Sequence, residues 1–286
     1  MKLHILGTAA AEGVPAVFCS CAHCRYAREA RGHEIRTRAG ALLDGTLKLD
    51  FGPDSYMQSL RDGVNYAFVH SVLITHTHSD HLTVSELGWR WGVFAHVPAG
   101  DKPLTVYGNE NLGTMLDGLL GDRIAYQRLT AFQTVDIEGY AVTPLQAVHC
   151  VSNGPDAGWP IVVGGKTVTR VEDAFIYLIE KDGKRLLYAH DTGPLTDADW
   201  EYLRGKRLDL VSLDCTNGRL DRTYYGHMGC HDDLAIRERL ISIGAADDKT
   251  TFVANHFSHN GLLPYDELCA MMPGFIVAHD GLNIEI

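Results

Sequence analysis

Apolar positions along the chain change period repeatedly, and each change predicts an element. Lys2–Leu6 alternates and stops at Gly7, which reads as a first strand. A Gly/Ala-rich loop then leads to a short charged helix over about Arg25 to Arg31. ALLDGTLKLDFGP gives a strand, an Asp44-Gly45 hairpin turn and a second strand. Val72–Ile74 is a short buried strand, and LTVSELGWRWGVF begins a helix. KPLTVYG is a strand, and NENLGTMLDGLL a helix with Asn109 as its N-cap. In the second half, YAVTPLQAVH is a strand that ends at His149. DAFIYLIE and KRLLYAHDTG form a hairpin turning at Asp182-Gly183. TDADWEYLR is a helix capped by Thr196, LDLVSLDC and TFVANH are strands, and CHDDLAIRERLISIG is a helix closed by Gly244. GFIVAHDGLNIEI finishes as a hairpin. The turn-rich stretch Val151 to Arg170 is expected as a surface excursion beside His149. With no repeat and no low-complexity linker, residues 1–286 read as one domain of α/β layered architecture.

Composition narrows the partners. The formal net charge is −11 at pH 7, which disfavours a general nucleic-acid or anionic-membrane binder. No apolar run reaches the roughly 18 residues of a membrane span. The opening MKLHILGTAAAEG is too short and too lightly apolar for a secretory leader, so a cytoplasmic chain is expected. There are 7 cysteines, and Cys19, Cys21 and Cys24 crowd into one short loop. A reducing compartment and a thiolate metal site fit that crowding better than disulfides.

The chemistry concentrates in THTHSDH. Packing does not call for three histidines and an aspartate behind a buried strand. In an extended loop His76 and His78 point the same way and can grip one ion. Asp80 and His81 follow after the chain turns, and can face a second ion. His149, Asp191 and His256 each lie just past an apolar strand, where a loop can aim them at a common rim. Read singly, each would be a satisfied buried polar group; together with the cluster they read as ligands. His190 should point away from Asp191 and serve structure or support a ligand.

This ordered set resembles the metallo-β-lactamase superfamily. The resemblance implies a four-layer αββα sandwich with a two-metal site at one edge of the paired sheets. Asp50, in LDFGPD, matches the aspartate that supports the metal loop of that fold. The fold hosts varied chemistry, so the reaction has to be argued from other residues.

Cys19, Cys21 and Cys24 form C-x-C-x-x-C, whose thiolates repel unless a soft cation neutralises them. Zinc asks for a fourth ligand: His23 would approach under strain, whereas His259 sits three residues past His256. GTAAAEGVP followed by this spacing resembles the PhnP-type cyclic phosphodiesterases of the carbon–phosphorus lyase pathway, as do RWGV and the closing GFIVAHDGLNI. The likeness spans nearly the whole chain; the departure is the excursion from Val151 to Arg170, which is longer here. In that family a structural zinc takes three cysteines and a late histidine. The family position of His227 implies a group that binds the phosphate or protonates the leaving oxygen; His231, one helical turn on, is its rival.

The resemblance implies a metal-dependent hydrolase acting on a small phosphodiester, with a ribosyl cyclic phosphate as one candidate. A hydroxide held between two divalent metals (zinc, manganese or iron) would attack phosphorus, with Asp80 positioning a metal and His227 donating a proton. A structural zinc completes the cofactors, and homodimerisation is left open. The alternatives are a lactonase or thioesterase, an RNA-processing nuclease, or a metal-binding scaffold.

Overall fold

Two seven-stranded mixed sheets face each other, and between them they take up all the strands expected from the sequence. The structure, a computed structural model, describes residues 1–98, 100–150, 159–220 and 226–286. Its strands are β1 (Lys2–Gly7), β2 (Gly40–Leu43), β3 (Leu47–Leu49), β4 (Ser71–Leu73), β5 (Leu104–Gly108), β6 (Ile124–Arg128), β7 (Val135–Ile137) and β8 (Tyr140–Gln146). They continue as β9 (Trp159–Val163), β10 (Lys166–Arg170), β11 (Phe175–Lys181), β12 (Lys184–Ala189), β13 (Leu210–Asp214), β14 (Thr251–Asn255), β15 (Ile276–Val277) and β16 (Leu282–Glu285). The helices are α1 (Ala22–Ala30), α2 (Ser55–Asp62), α3 (Val84–Leu87), α4 (Glu110–Leu116), α5 (Asp197–Leu203), α6 (Cys230–Ser242) and α7 (Tyr265–Met271). One sheet has the order β16-β1-β2-β3-β4-β5-β6, the other β15-β14-β13-β12-β11-β8-β7.

Three apolar layers make the αββα sandwich. Leu3, Leu43, Leu47 and Leu73 of the first sheet meet Tyr140, Phe175, Tyr177 and Tyr188 of the second. The outer face of the second sheet packs Ile176, Leu178 and Val211 on Trp200 and Leu203 of α5 and on Ile236 and Leu240 of α6. The outer face of the first packs Val72 and Val106 on Leu112 and Leu116 of α4. Because β11 is covered on both faces, its sequence FIYLI is continuously apolar rather than alternating.

Three expectations need correction, and a fourth is refined. Helix α1 begins at Ala22, three residues early, because the Cys21 thiol accepts the Cys24 N–H and caps it. The helix after the metal motif lasts one turn, Val84–Leu87, then a 3-10 turn to Arg90. Gly88 and Gly92, poor helix formers, help to end it there. The closing segment is not a hairpin: β15 lies parallel to β14, whereas β16 pairs antiparallel with β1 in the other sheet. The Asp280 carboxylate pins the crossing by accepting from Thr8 Oγ1, Thr37 N and Thr37 Oγ1. Finally, within Val151 to Arg170, residues 151–158 lie outside the described set, and the rest forms a β9–β10 ribbon. Its Gly164 and Gly165 N–H groups donate to the Asp197 carboxylate, so this part is docked on the body.

Lys48 is a buried base in the first sheet. Its ammonium donates to the carbonyls of Leu49 (3.1 Å) and Asp50 (2.5 Å). Burial drops its pKa to about 7, only partly opposed by the Asp50 charge. The folded state thus resists a proton that the unfolded chain holds up to about pH 10. That stability is present at high pH and is lost as the pH falls through about 7. Lys48→Met is expected to flatten the rise in unfolding free energy between those limits, by an amount on the order of a few kcal/mol. Denaturant melts across a pH series would read it, and an unchanged slope would contradict it.

Candidate active site

The site sits where the C-terminal ends of strands from both sheets meet. β12, β13 and β14 are parallel neighbours, so Asp191, Asp214 and His256 emerge side by side. β8 runs antiparallel to β11, and β11 antiparallel to β12, which brings His149 to the same edge. From the other sheet, β4 delivers the loop from Thr75 to His81. Asp50, Cys150, Asp191 and His256 all take left-handed backbone angles, with φ of 54°, 53°, 55° and 59°. Such conformations cost free energy, and they collect here where each chain turns sharply off its strand.

All seven expected ligands converge. His76, His78 and His149 form one group with Cys150, and Asp80, His81, Asp191 and His256 form another; within each group the donor atoms lie within 4.8 Å of one another. Asp191 joins the two. Its Oδ2 is 2.8 Å from His81 Nε2 of one group and 3.4 Å from His76 Nε2 of the other. The Nε2 atoms of His76, His81 and His256 and Asp191 Oδ1 are buried without a well-aligned hydrogen bond, although Asp191 Oδ2 stands 2.8–3.6 Å from all three nitrogens. Packing that many unsatisfied polar atoms together is costly unless cations complete them. The residues present therefore fit two divalent ions.

The outward nitrogens are held. Asp50 Oδ2 lies 2.8 Å from His81 Nδ1, and Asp50 also accepts from Thr75 N, as its family position implied. Asp214 Oδ2 and Thr216 Oγ1 sit 3.2 and 2.8 Å from His256 Nδ1. Gly226 O is 3.1 Å from His149 Nδ1. Such contacts fix tautomer and aim. Burial, reinforced by the neighbouring His81, keeps the His76 imidazole neutral and its lone pair available. Burial opposes ionisation of Asp80, but the adjacent His81 outweighs it and brings the carboxyl to about 2. His190 faces away, with Nε2 2.7 Å from Ser212 Oγ, as its position in the strand implies.

His227 lines the same cavity, about 410 Å3 in volume, with Glu12, His78, Asp80, Asn217 and Asn260. Its Nδ1 is 3.1 Å from Asp214 Oδ2 and 3.3 Å from Asp191 Oδ1. Burial disfavours its proton, yet these carboxylates raise its pKa to about 9. His231 is exposed on α6 and takes no part. A larger cavity of about 610 Å3, lined by Phe51, Tyr66, Leu87 and Trp89, lies on the far side of the first sheet and shares no lining residue with this one.

The cysteine cluster closes as expected. Cys19, Cys21, Cys24 and His259 bring four donor atoms within 4.8 Å, with His259 Nδ1 at 3.6 and 3.5 Å from Cys19 and Cys21 Sγ. His23 lies outside it. Burial opposes the Cys21 thiolate, but the Cys24 N–H and His259 outweigh it and bring the thiol to about 6. Glu12 links the two centres, since it lines the cavity and its Oε1 is 3.5 Å from His259 Nε2.

The family described as "Beta-lactamase superfamily domain" matches residues 49–246, which hold every candidate ligand of the main site except His256. The chain belongs to that superfamily. An octanoyltransferase of Porphyromonas gingivalis (strain ATCC BAA-308 / W83) is 35% identical over 294 residues, 99% of this chain and 51% of that protein. The chain thus spans about half the length of that curated relative. Among solved structures, a diphosphatase from the PhnP family aligns with a TM-score of 0.72 at 24% identity, covering 100% of this chain and 97% of that one. Zn(2+)-bound PqqB from Methylobacterium extorquens aligns at 0.73 and 22%, with 100% of both chains covered. Human tRNase Z, short form, aligns at 0.59 and 16%, with 100% and 99% covered. These likenesses show the metallo-β-lactamase fold.

Sequence reasoning missed Asp214 and Thr216, which hold His256, and Cys150, which joins the first donor group. Asp214 had a signal, because it ends an apolar strand as Asp191 does. The others had none.

Proposed function

We propose that the chain hydrolyses a small phosphodiester, a ribosyl cyclic phosphate being the leading candidate. The observation that carries the reading is the convergence of His76, His78, Asp80, His81, His149, Asp191 and His256 beside a cavity that His227 also lines, with His227 Nδ1 3.1 Å from Asp214 Oδ2. His76, His78 and His149 would hold one cation, and Asp80, His81 and His256 the other, with Asp191 between. Divalent cations bound there would polarise a phosphoryl group and lower the pKa of water. Zinc, manganese and iron all suit these donors. His227, held by Asp214 and Asp191, supplies a proton to the leaving oxygen. The fold likeness to a PhnP-family diphosphatase and to a tRNase Z supports phosphoester chemistry.

Hydrolysis of an acyl ester or thioester is the second reading, favoured by the likeness to the octanoyltransferase along nearly the whole chain. Turnover of bis(p-nitrophenyl) phosphate, measured beside a lactone and an octanoyl thioester with metal content on the same sample, separates the two. Phosphodiester turnover supports the first; acyl turnover alone replaces it with the second.

We assign the cysteine cluster to a structural zinc held by Cys19, Cys21, Cys24 and His259. Such a site adds stability because its ligands assemble only in the folded chain. Cys21→Ser is expected to lose about one zinc per chain and to melt at lower temperature, with the other two metals retained. Unchanged zinc stoichiometry would leave these residues as packed thiols.

A further inference from the structure

Each buried histidine of the metal cluster has an orienting contact on the nitrogen that faces away from the centre. His81 has Asp50, His256 has Thr216 and Asp214, His149 has the Gly226 carbonyl, and His76 has Thr75 Oγ1 at 3.1 Å from its Nδ1. His78 is the exposed member, and nothing so far described fixes it. Its Nδ1 faces His149 Nε2 at 3.2 Å, which marks Nδ1 as the atom turned toward a shared ion. Its Nε2 lies 3.6 Å from Cys150 Sγ. The same sulfur is 3.8 Å from Glu172 Oε2.

Glu172 is itself tied to the metal loop. The carboxylate is buried, and its Oε1 accepts from Thr77 N (3.0 Å), Thr77 Oγ1 (2.8 Å) and Asn109 Nδ2 (2.7 Å). Thr77 is the residue between His76 and His78. Next to Glu172, Val171 N donates to Cys150 O at 2.7 Å, which holds the left-handed Cys150 backbone in place. The thiol thus lies between a buried carboxylate and the one exposed ligand.

We infer that Cys150 is the positioning residue of His78. With His78 Nδ1 turned to the ion, its proton sits on Nε2 and is donated to Cys150 Sγ. The Cys150 S–H is donated in turn to Glu172 Oε2. The chain from Glu172 through Cys150 to His78 fixes the tautomer and limits rotation of a ring that solvent would otherwise leave loose. The sulfur lies against the nitrogen opposite the one that faces His149, so the geometry makes it a support and not a ligand. The inference rests on the metal reading of the cluster, and the test keeps the two apart.

Cobalt(II) and zinc(II) affinity of the full chain, measured by competition with a chromophoric chelator, reads the effect without any substrate. Cys150→Ala is expected to weaken the His76–His78–His149 site by about 10–100-fold, the scale of lost outer support. Cys150→Ser, which keeps a donor and an acceptor, is expected to recover most of that loss. Glu172→Gln is expected to weaken the same site, and adding Cys150→Ala to it should cost little more, because both cut one chain. Equal affinity of wild type and Cys150→Ala would overturn the inference, as would full additivity of the two changes. A near-ultraviolet sulfur–cobalt band that vanishes in Cys150→Ala would also overturn it, by making the sulfur a direct ligand. Wild-type protein that takes up no metal at these histidines would defeat the metal reading itself.

Discussion

Asp191→Asn is expected to strip metal from both halves of the centre, leaving fewer than two equivalents and lowering turnover by more than about 10²-fold, since losing an outer support alone costs up to that much. Asparagine is the informative choice because it tolerates the left-handed angle, φ 55°, that alanine would resist. The expectation follows from position. Asp191 Oδ2 stands 2.8 Å from His81 and 3.4 Å from His76, so one carboxylate belongs to both donor groups. Asp80 serves one group only, with Oδ2 3.1 Å from His81 Nε2. Asp80→Ala should therefore lose a single metal while also losing most turnover. Elemental analysis of both variants beside their rates gives the contrast. Equal metal loss in the two would dissolve the bridging role, and full metal with full activity in Asp191→Asn would sink the dinuclear reading.

His227→Ala should behave differently, keeping both metals and losing rate according to the leaving group. Nitrophenolate departs without a proton, so bis(p-nitrophenyl) phosphate should be hurt least. An alkoxide, as in a ribose cyclic phosphate, needs the proton, and its rate should drop by about 10²–10⁴-fold, the usual worth of general-acid help. The charged form of the ring that this requires is sustained by Asp214 and Asp191, which outweigh the cost of burying it. Equal losses on both substrates would point to phosphate binding instead. His231→Ala, at an exposed position on α6, should match wild type.

The candidate metal centre was legible to the extent that its expected ligands are local or follow strands. His76, His78, Asp80 and His81 lie within six residues, so their spacing alone announces them. His149, Asp191 and His256 could be found because each follows an apolar run, and a loop at a strand end is where a polar side chain turns toward a common rim. Asp214 was equally findable by that rule. Glu172 and Cys150 were not, since the role inferred for them rests on contacts with Thr77 and His78, almost a hundred and more than seventy residues away in sequence. The closing segment failed for a related reason. GFIVAHDGLNIEI has the pattern of a hairpin, but pairing partners are chosen by sheet edges, and here β14 and β1 each offered one.

The sequence by itself determined most of the strands (though not β6, β7, β9 or β10), which side chains end them, and that three cysteines and a dense histidine motif ask for cations. Period and spacing carry that much, because they act within a few residues. Only the tertiary structure decided that β12, β13 and β14 lie in parallel register and that Asp191 is shared between the two donor groups. Those outcomes depend on how two sheets, buried on both faces, stack and align. Apolar side chains specify burial strongly but carry little information about which partner buries them.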